Sequence, residues 1–141
     1  MQSDKVYTVL VAEDENFQRL ALLDILSMCD YETVEAENGK IAMEKLNDEN
    51  YDFNLVLLDL NMPEMNGFEV LTHMQEDSRL SQIPVVVMSG NDSQDVIADC
   101  LRMGAVNYLV KPVRIQQCRA LIAFMKQKTS TPSSGAEERG I

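Results

Sequence analysis

The chain has 141 residues, of which 45% are apolar and 25% charged, and its formal net charge is −11 at pH 7. This length and composition are typical of one globular domain and argue against a disordered chain. The negative charge argues against direct nucleic-acid binding, which needs clustered lysines and arginines. It fits a solvated acidic surface, a cation site or a basic protein partner.

Targeting and redox signals are missing from the pattern. No apolar run approaches the ~20 residues of a membrane-spanning helix, and acidic residues occur too early for a secretory signal. We therefore expect a cytoplasmic or nuclear protein without a membrane partner. The three cysteines form no C-x-x-C pair, which predicts buried apolar fillers rather than zinc ligands or a redox dithiol.

Short apolar strands alternate five times with longer amphipathic helices. The strands are predicted at residues 6–11, 32–36, 54–58, 84–88 and 106–110. The helices are predicted at residues 15–28, 40–46, 68–74, 93 to about 103 and 115–125. In the first helix, the spacing of Phe17, Leu20 and Leu26, with Leu23 or Ala21 between them, predicts the buried face.

Apolar periodicity is lost from residue 126 onward. We therefore expect one domain at residues 1–127, followed by a flexible tail or linker at 128–141 that contains no output domain. The alternating pattern predicts an α/β fold. The expected form is a flavodoxin-like, doubly wound sheet of five parallel strands in the order 2-1-3-4-5, with five helices. Right-handed crossovers bring the carboxyl ends of all strands to one edge, where ligands bind.

Polar residues follow four of the five predicted strands at this edge. They are Glu13 and Asp14 after the first strand, Asp59 after the third, Ser89 after the fourth and Lys111 after the fifth. Since the first and third strands are neighbours, the three carboxylates are expected to crowd together. Their repulsion predicts a divalent cation, and carboxylate oxygens suit Mg²⁺. With Lys111 opposite, the set predicts an anion-handling site around a carboxylate nucleophile.

Four segments carry a family resemblance: VAEDEN (11–16), LLDLNMPEMNGFEV (57–70), VVVMSG (85–90) and YLVKPV (108–113). Over roughly residues 5–125 the chain resembles the receiver domain of two-component response regulators. The resemblance implies that Asp59 accepts a phosphoryl group from a phosphohistidine of a histidine kinase or histidine phosphotransfer protein. It also implies that Glu13, Asp14, Asp59 and the backbone carbonyl of Asn61 bind Mg²⁺, or alternatively Mn²⁺.

Further roles follow from the same resemblance. Lys111 and Ser89 are implied to contact the phosphoryl group, and Ser89 and Tyr108 to form the switch. Asn61 and Asn91 occupy the positions that set the lifetime of the acyl phosphate. The resemblance also implies a cis peptide bond before Pro112.

The implied activity is that of a signalling switch, which catalyses its own aspartate phosphorylation and slow dephosphorylation. The output would be a changed face formed by the fourth helix, fifth strand and fifth helix. That face would bind a downstream protein or domain, or a second copy in a phosphorylation-dependent homodimer. The chain is either a stand-alone regulator or a part of a hybrid histidine kinase or larger regulator.

Two other interpretations compete with the switch. A haloacid-dehalogenase-type phosphohydrolase also forms an aspartyl phosphate, but its D-x-D motif follows the first strand. Here the candidate nucleophile follows the third strand, and Asn61 stands where that motif has its second acid. The other alternative is a scaffold with an incidental metal site. Mg²⁺-dependent labelling by acetyl phosphate would exclude this scaffold interpretation.

Overall fold

The computed structural model describes residues 6–130, except for the side chains of residues 122 and 126–130. The strands are β1 (Thr8–Ala12), β2 (Glu32–Ala36), β3 (Leu55–Asp59), β4 (Val85–Ser89) and β5 (Asn107–Val110). The helices are α1 (Asn16–Met28), α2 (Gly39–Leu46), α3 (Gly67–Gln75), α4 (Gln94–Arg102) and α5 (Ile115–Ser130), with a short 3-10 helix at Leu80–Gln82. The strands form one parallel sheet in the order β2-β1-β3-β4-β5, which confirms the predicted fold.

Strand β3 is the central strand of the sheet, and all five of its residues are buried. Its side chains alternate between two cores: Val56 and Leu58 belong to one apolar cluster, Leu55 and Leu57 to the other. Both faces of a parallel sheet are covered by helices, which explains why this strand is continuously apolar. The strand is thereby fixed from both sides, and it holds Asp59 at its carboxyl end.

The loop after β3 folds back onto the end of that strand. Asn66 begins helix α3 with a reciprocal cap: its Oδ1 accepts from the Glu69 N–H at 3.0 Å, and Glu69 Oε1 accepts from the Asn66 N–H at 2.9 Å. The next residue, Gly67, donates its N–H to the carbonyl of Leu60 at 2.9 Å. A Cβ on Gly67 would overlap the Asp59 carbonyl oxygen, so this approach requires glycine.

The predicted buried face of the first helix is only partly correct. Leu26 is buried and Leu23 partly buried, as predicted, but Phe17 is 83% exposed and Leu20 is 54% exposed. Leu22, which lies outside the predicted face, is buried in the core between α1, α5 and the sheet. Helix α1 is apolar at so many positions that two stripes satisfy helical spacing. The packing against Cys118 and Leu121 of α5 and the sheet selects one of them, and periodicity alone does not distinguish the two.

Helix α5 also differs from the expectation. It continues to Ser130, beyond the predicted end at residue 125, although Met125 is the last residue of this helix in the described core. Residues 131–141, most of the predicted tail, lie outside the described residues.

The three cysteines are buried and free, as expected of apolar fillers. Within residues 6–130, no helix is both long enough and apolar enough to span a bilayer.

Candidate functional site

Three carboxylates meet at the carboxyl edge of the sheet, as the strand order predicts. Strands β1 and β3 are paired with Ala12 opposite Leu58, so the next residues, Glu13 and Asp59, lie side by side. One oxygen from each of Glu13, Asp14 and Asp59 lies within 4.8 Å of the other two. Glu13 and Asp59 are only 2% and 3% exposed, while Asp14 faces solvent.

Lys111 reaches across this edge from the end of β5. Its backbone N–H donates to the Ser89 carbonyl at 2.8 Å, which fixes the base of the side chain. Its ammonium Nζ donates to Glu13 Oε1 at 2.7 Å and to Gln18 Oε1 at 2.6 Å. The same Nζ lies 3.3 Å from Asp59 Oδ1. The lysine therefore bridges the carboxylates rather than pairing with Asp59 alone.

The negative charge at the site exceeds what Lys111 neutralises. Burial raises the pKa of the Asp59 carboxyl, and the Glu13 charge and hydrogen bond raise it further. Lys111 and the Asn61 N–H lower it, and the balance is a pKa of about 6, against an ordinary 3.8. A neighbouring carboxylate makes the ionised form of a carboxyl less favourable. A bound divalent cation offsets this repulsion.

The donor set fits Mg²⁺ or Mn²⁺, since it consists of clustered carboxylate oxygens beside an open cleft. The cleft has a volume of about 690 Å³, and its lining includes Glu13, Asp14, Asp59, Asn61 and Lys111. Asn61 is anchored there by its N–H, which donates to Asp59 Oδ1 at 3.3 Å. The carboxylates and the lysine thus line one cleft that opens to solvent.

Ser89, Asn91 and Tyr108 form one hydrogen-bonded chain beside the cleft. Ser89 is 1% exposed, and its Oγ accepts from the Asn91 N–H at 3.1 Å. The Tyr108 hydroxyl donates to the Asn91 carbonyl at 2.6 Å, so this ring is turned inward and buried. The Asn91 side chain accepts from the Ser93 N–H at 2.8 Å and thus faces its own loop. The backbone of Asn91 joins the serine to the tyrosine.

Comparison with known proteins agrees with this geometry. The profile of the response regulator receiver domain matches residues 9–123, which is most of the chain. The chain belongs to the response regulator receiver domains. The Lys111–Pro112 peptide bond of this receiver domain is cis, as the resemblance implied. Its strand order and its acidic cluster agree with that membership.

Curated relatives of this receiver domain include plant response regulators. The two-component response regulator ORR11 of Oryza sativa subsp. indica is 38% identical over 106 residues, which cover 75% of this chain and 71% of ORR11. The two-component response regulator-like protein PRR73 of the same subspecies is 34% identical over 137 residues, 97% of this chain. The match spans only 18% of PRR73, so most of that protein has no counterpart here.

Solved structures share the fold. The receiver domain of the Francisella response regulator 1452 superposes with a TM-score of 0.79 at 24% identity, covering 87% of this chain and 98% of that one. The Mn²⁺-bound form of the response regulator Rcp1 superposes with a TM-score of 0.75 at 26% identity, covering 89% and 99%.

The sequence pattern missed two residues of this receiver domain, Gln18 and Arg19. The Arg19 guanidinium is 11% exposed and donates to the Glu13 carbonyl at 2.9 Å, to Glu35 Oε1 at 3.0 Å and to Asn16 Oδ1 at 2.6 Å. It thereby ties the acidic loop to β2 and α1. Their place in the sequence could have identified them, because both residues lie in the first turns of the helix that follows Glu13 and Asp14.

Proposed function

We propose that this receiver domain is a phosphorylation switch whose acceptor is the Asp59 carboxylate. The observation that carries the proposal is the meeting at Asp59 of two further carboxylates and the Lys111 ammonium, beside an open cleft. The donor would be a phosphohistidine of a histidine kinase or histidine phosphotransfer protein. Asp59 is largely ionised at neutral pH, because its raised pKa of about 6 is still below 7.

The proposed transfer is a substitution at phosphorus. A carboxylate oxygen of Asp59 forms a bond to phosphorus while the bond from phosphorus to the partner's imidazole nitrogen breaks, and that nitrogen keeps the electron pair. Lys111 would hold a phosphoryl oxygen, and Glu13, Asp14, Asp59 and the Asn61 carbonyl would hold Mg²⁺ or Mn²⁺. When bound, the metal ion supplies positive charge against the phosphoryl oxygens. Lys111 is already within reach, since its Nζ lies 3.3 Å from Asp59 Oδ1.

The reverse half of the cycle is slow hydrolysis of the acyl phosphate, so the domain is a switch with self-directed chemistry rather than a conventional enzyme. Asn61 and Asn91 are proposed to set the lifetime of the phosphorylated state. Asn61 lines the cleft and can meet an attacking water directly. Asn91 would act through its backbone contacts with Ser89 and Tyr108, because its side chain is engaged by Ser93.

The output is proposed to be a rearrangement of the α4-β5-α5 face. The Ser89 hydroxyl would leave the Asn91 N–H and donate to a phosphoryl oxygen, which shifts the Asn91 loop and the tyrosine attached to it. The proposed face carries four partly exposed apolar side chains: Leu101, Val106, Val110 and Phe124. Such a patch suits docking of a downstream protein or domain, or a phosphorylation-dependent homodimer.

We also propose where the domain acts and what kind of protein it belongs to. A cytoplasmic location fits a domain that exchanges phosphoryl groups with kinases, and membership of a hybrid histidine kinase or larger regulator fits relatives such as PRR73, of which only 18% is matched. We also propose a boundary near residue 127, with a linker at 128–141. Among the side chains that the structure describes, Met125 is the last of α5 in the core, while the backbone of the helix continues to Ser130.

Mg²⁺-dependent labelling tests the proposed function. We expect acetyl phosphate to add one phosphoryl group per chain when Mg²⁺ is present, and chelation of the metal to prevent it, as measured by intact-protein mass spectrometry. Asp59→Asn should lower the initial rate at least about 100-fold, because the nucleophile is lost. The matched control is Asp52→Asn, an exposed carboxylate beyond the opposite ends of the strands. Equal labelling of both variants would contradict the proposal.

The switch has its own test at Tyr108. Phosphorylation is expected to shift the ring resonances of Tyr108 in NMR spectra, because its hydroxyl is bonded to the loop that Ser89 would pull. In Ser89→Ala the hydroxyl that couples the two is missing, so the shift should be much smaller at equal phosphorylation. Resonances of Tyr108 that stay unchanged in the phosphorylated wild type would contradict the coupling.

A further inference from the structure

The Lys111 ammonium has a third partner that neither the metal site nor the switch accounts for. An ammonium has three N–H donors and no acceptor. Within the described chain these donors face Glu13 Oε1, Gln18 Oε1 and Asp59 Oδ1, at 2.7, 2.6 and 3.3 Å. The shortest of the three contacts is the one to Gln18, a side chain that lines the same cleft.

We propose that Gln18 is a positioning residue for Lys111. With Glu13 holding the ammonium from the β1 side and Gln18 holding it from α1, the third N–H is directed at Asp59. That is the place where the phosphoryl oxygens would lie in the transition state. The inference rests on the proposed function, because the value of this orientation is that Lys111 meets the phosphoryl group without rearranging.

Helix α1 provides a fixed base for this contact. The Gln18 N–H donates to the capping Glu15 Oε1 at 2.8 Å, so the residue lies in the first, capped turn. The next residue, Arg19, is bonded to Glu13, and the helix is held in the core by Leu22 and Leu26. A lysine side chain has four flexible carbons, and a fixed acceptor at its tip reduces the orientations that it samples.

The chemistry of an amide suits this position. A carboxylate here would add a fourth negative charge to the cluster, where burial and the Glu13 charge already raise the pKa of Asp59. An apolar side chain would leave one N–H of the lysine without this acceptor. Glutamine accepts a hydrogen bond through a neutral oxygen, so it orients Lys111 without opposing the phosphoryl group.

The test is a double-mutant cycle on the rate of labelling by acetyl phosphate in saturating Mg²⁺. Gln18→Met keeps the length of the side chain and its helix propensity but removes the acceptor. We expect it to lower the rate about fivefold, the order expected for one lost hydrogen bond. In the Lys111→Ala background the same change should alter the rate less than about twofold. The control Gln116→Met, at an exposed glutamine of α5, should leave the rate unchanged.

Two outcomes of the cycle overturn the inference: a Gln18→Met rate equal to wild type, or an equal loss with and without Lys111. A second readout needs no phosphorylation. Proton exchange of the Lys111 ammonium with water, measured by NMR on the metal-free protein, should be faster in Gln18→Met than in wild type. If the wild type takes up no phosphoryl group, the proposed function fails. The exchange rate then tests the Lys111–Gln18 contact by itself, and equal exchange rates in wild type and Gln18→Met overturn the inference.

Discussion

Replacing Asp59 by asparagine is expected to raise the free energy of unfolding of the metal-free protein by about 1–2 kcal/mol at pH 7.5. The pKa of this carboxyl is about 6 in the folded protein, against an ordinary 3.8, because the group is buried beside Glu13. The full shift corresponds to roughly 3 kcal/mol, which we reduce because the site opens to solvent through the cleft. Asparagine keeps an oxygen for Lys111 and removes the charge.

The sign of the pH dependence follows from the same pKa. Between about pH 3.8 and pH 6 the folded protein binds more protons at Asp59 than the unfolded chain does, so its stability falls as the pH rises. The penalty is absent below this window and complete above it. The gain from Asp59→Asn should therefore be large at pH 7.5 and small at pH 4, as measured by urea unfolding with chelator.

The control for this prediction is Asp52→Asn, which should change the stability little at either pH, since that carboxylate is exposed. Saturating Mg²⁺ should narrow the difference between wild type and Asp59→Asn, because the ion stabilises the wild-type cluster more. An Asp59→Asn protein that is less stable than wild type at pH 7.5, or a gain that is independent of pH, would contradict the electrostatic description of the site.

Lys111→Met is expected to have the opposite effect and to lower the free energy of unfolding by about 2–3 kcal/mol without metal at pH 7.5. The ion pairs that the described chain makes at Glu13 and Asp59 both involve Lys111, and these two carboxylates are nearly fully buried. Removing the lysine leaves two adjacent buried charges without that counter-ion. Urea unfolding of the metal-free variant measures the loss.

A double variant separates this explanation from simple loss of packing. If the loss is electrostatic, Lys111→Met should cost less in an Asp59→Asn background, because one of the unpaired charges is gone. Lys40→Met, at an exposed lysine of α2, is the matched control and should have little effect. If the changes in the free energy of unfolding of the two single variants simply add in the double variant, the lysine acts through its aliphatic stem.

The position of the main site residues could be predicted because it depends on strand order alone. Glu13, Asp59, Ser89 and Lys111 lie at or just beyond the carboxyl ends of strands, and parallel pairing places those ends at one edge. The continuous apolar run of β3 identifies the central strand. From these facts the meeting of the acids follows without any knowledge of side-chain conformation.

Other features depend on long side chains and tertiary packing, which the pattern does not determine. The contacts of Gln18 and Arg19 depend on the conformations of their long, flexible side chains. In the sequence these two residues look like many other polar residues of exposed helix faces. Periodicity predicts Leu26 on the buried face of α1 correctly, but it also places Phe17 and Leu20 there. The apolar positions of this helix allow two stripes, and only packing against α5 and the sheet selects one. That Lys111 is closer to Glu13 than to Asp59 is likewise a result of packing.

The most direct test of the account is the chemical nature and position of the phosphoryl group after labelling with acetyl phosphate and Mg²⁺. An acyl phosphate is cleaved by hydroxylamine and reduced by borohydride, which converts the modified aspartate to homoserine. Peptide mapping after reduction should find homoserine at position 59 and at no other acidic residue. A hydroxylamine-resistant phosphoryl group on Ser89, or a reduced residue at Glu13 or Asp14, would contradict the assignment of Asp59 as the acceptor.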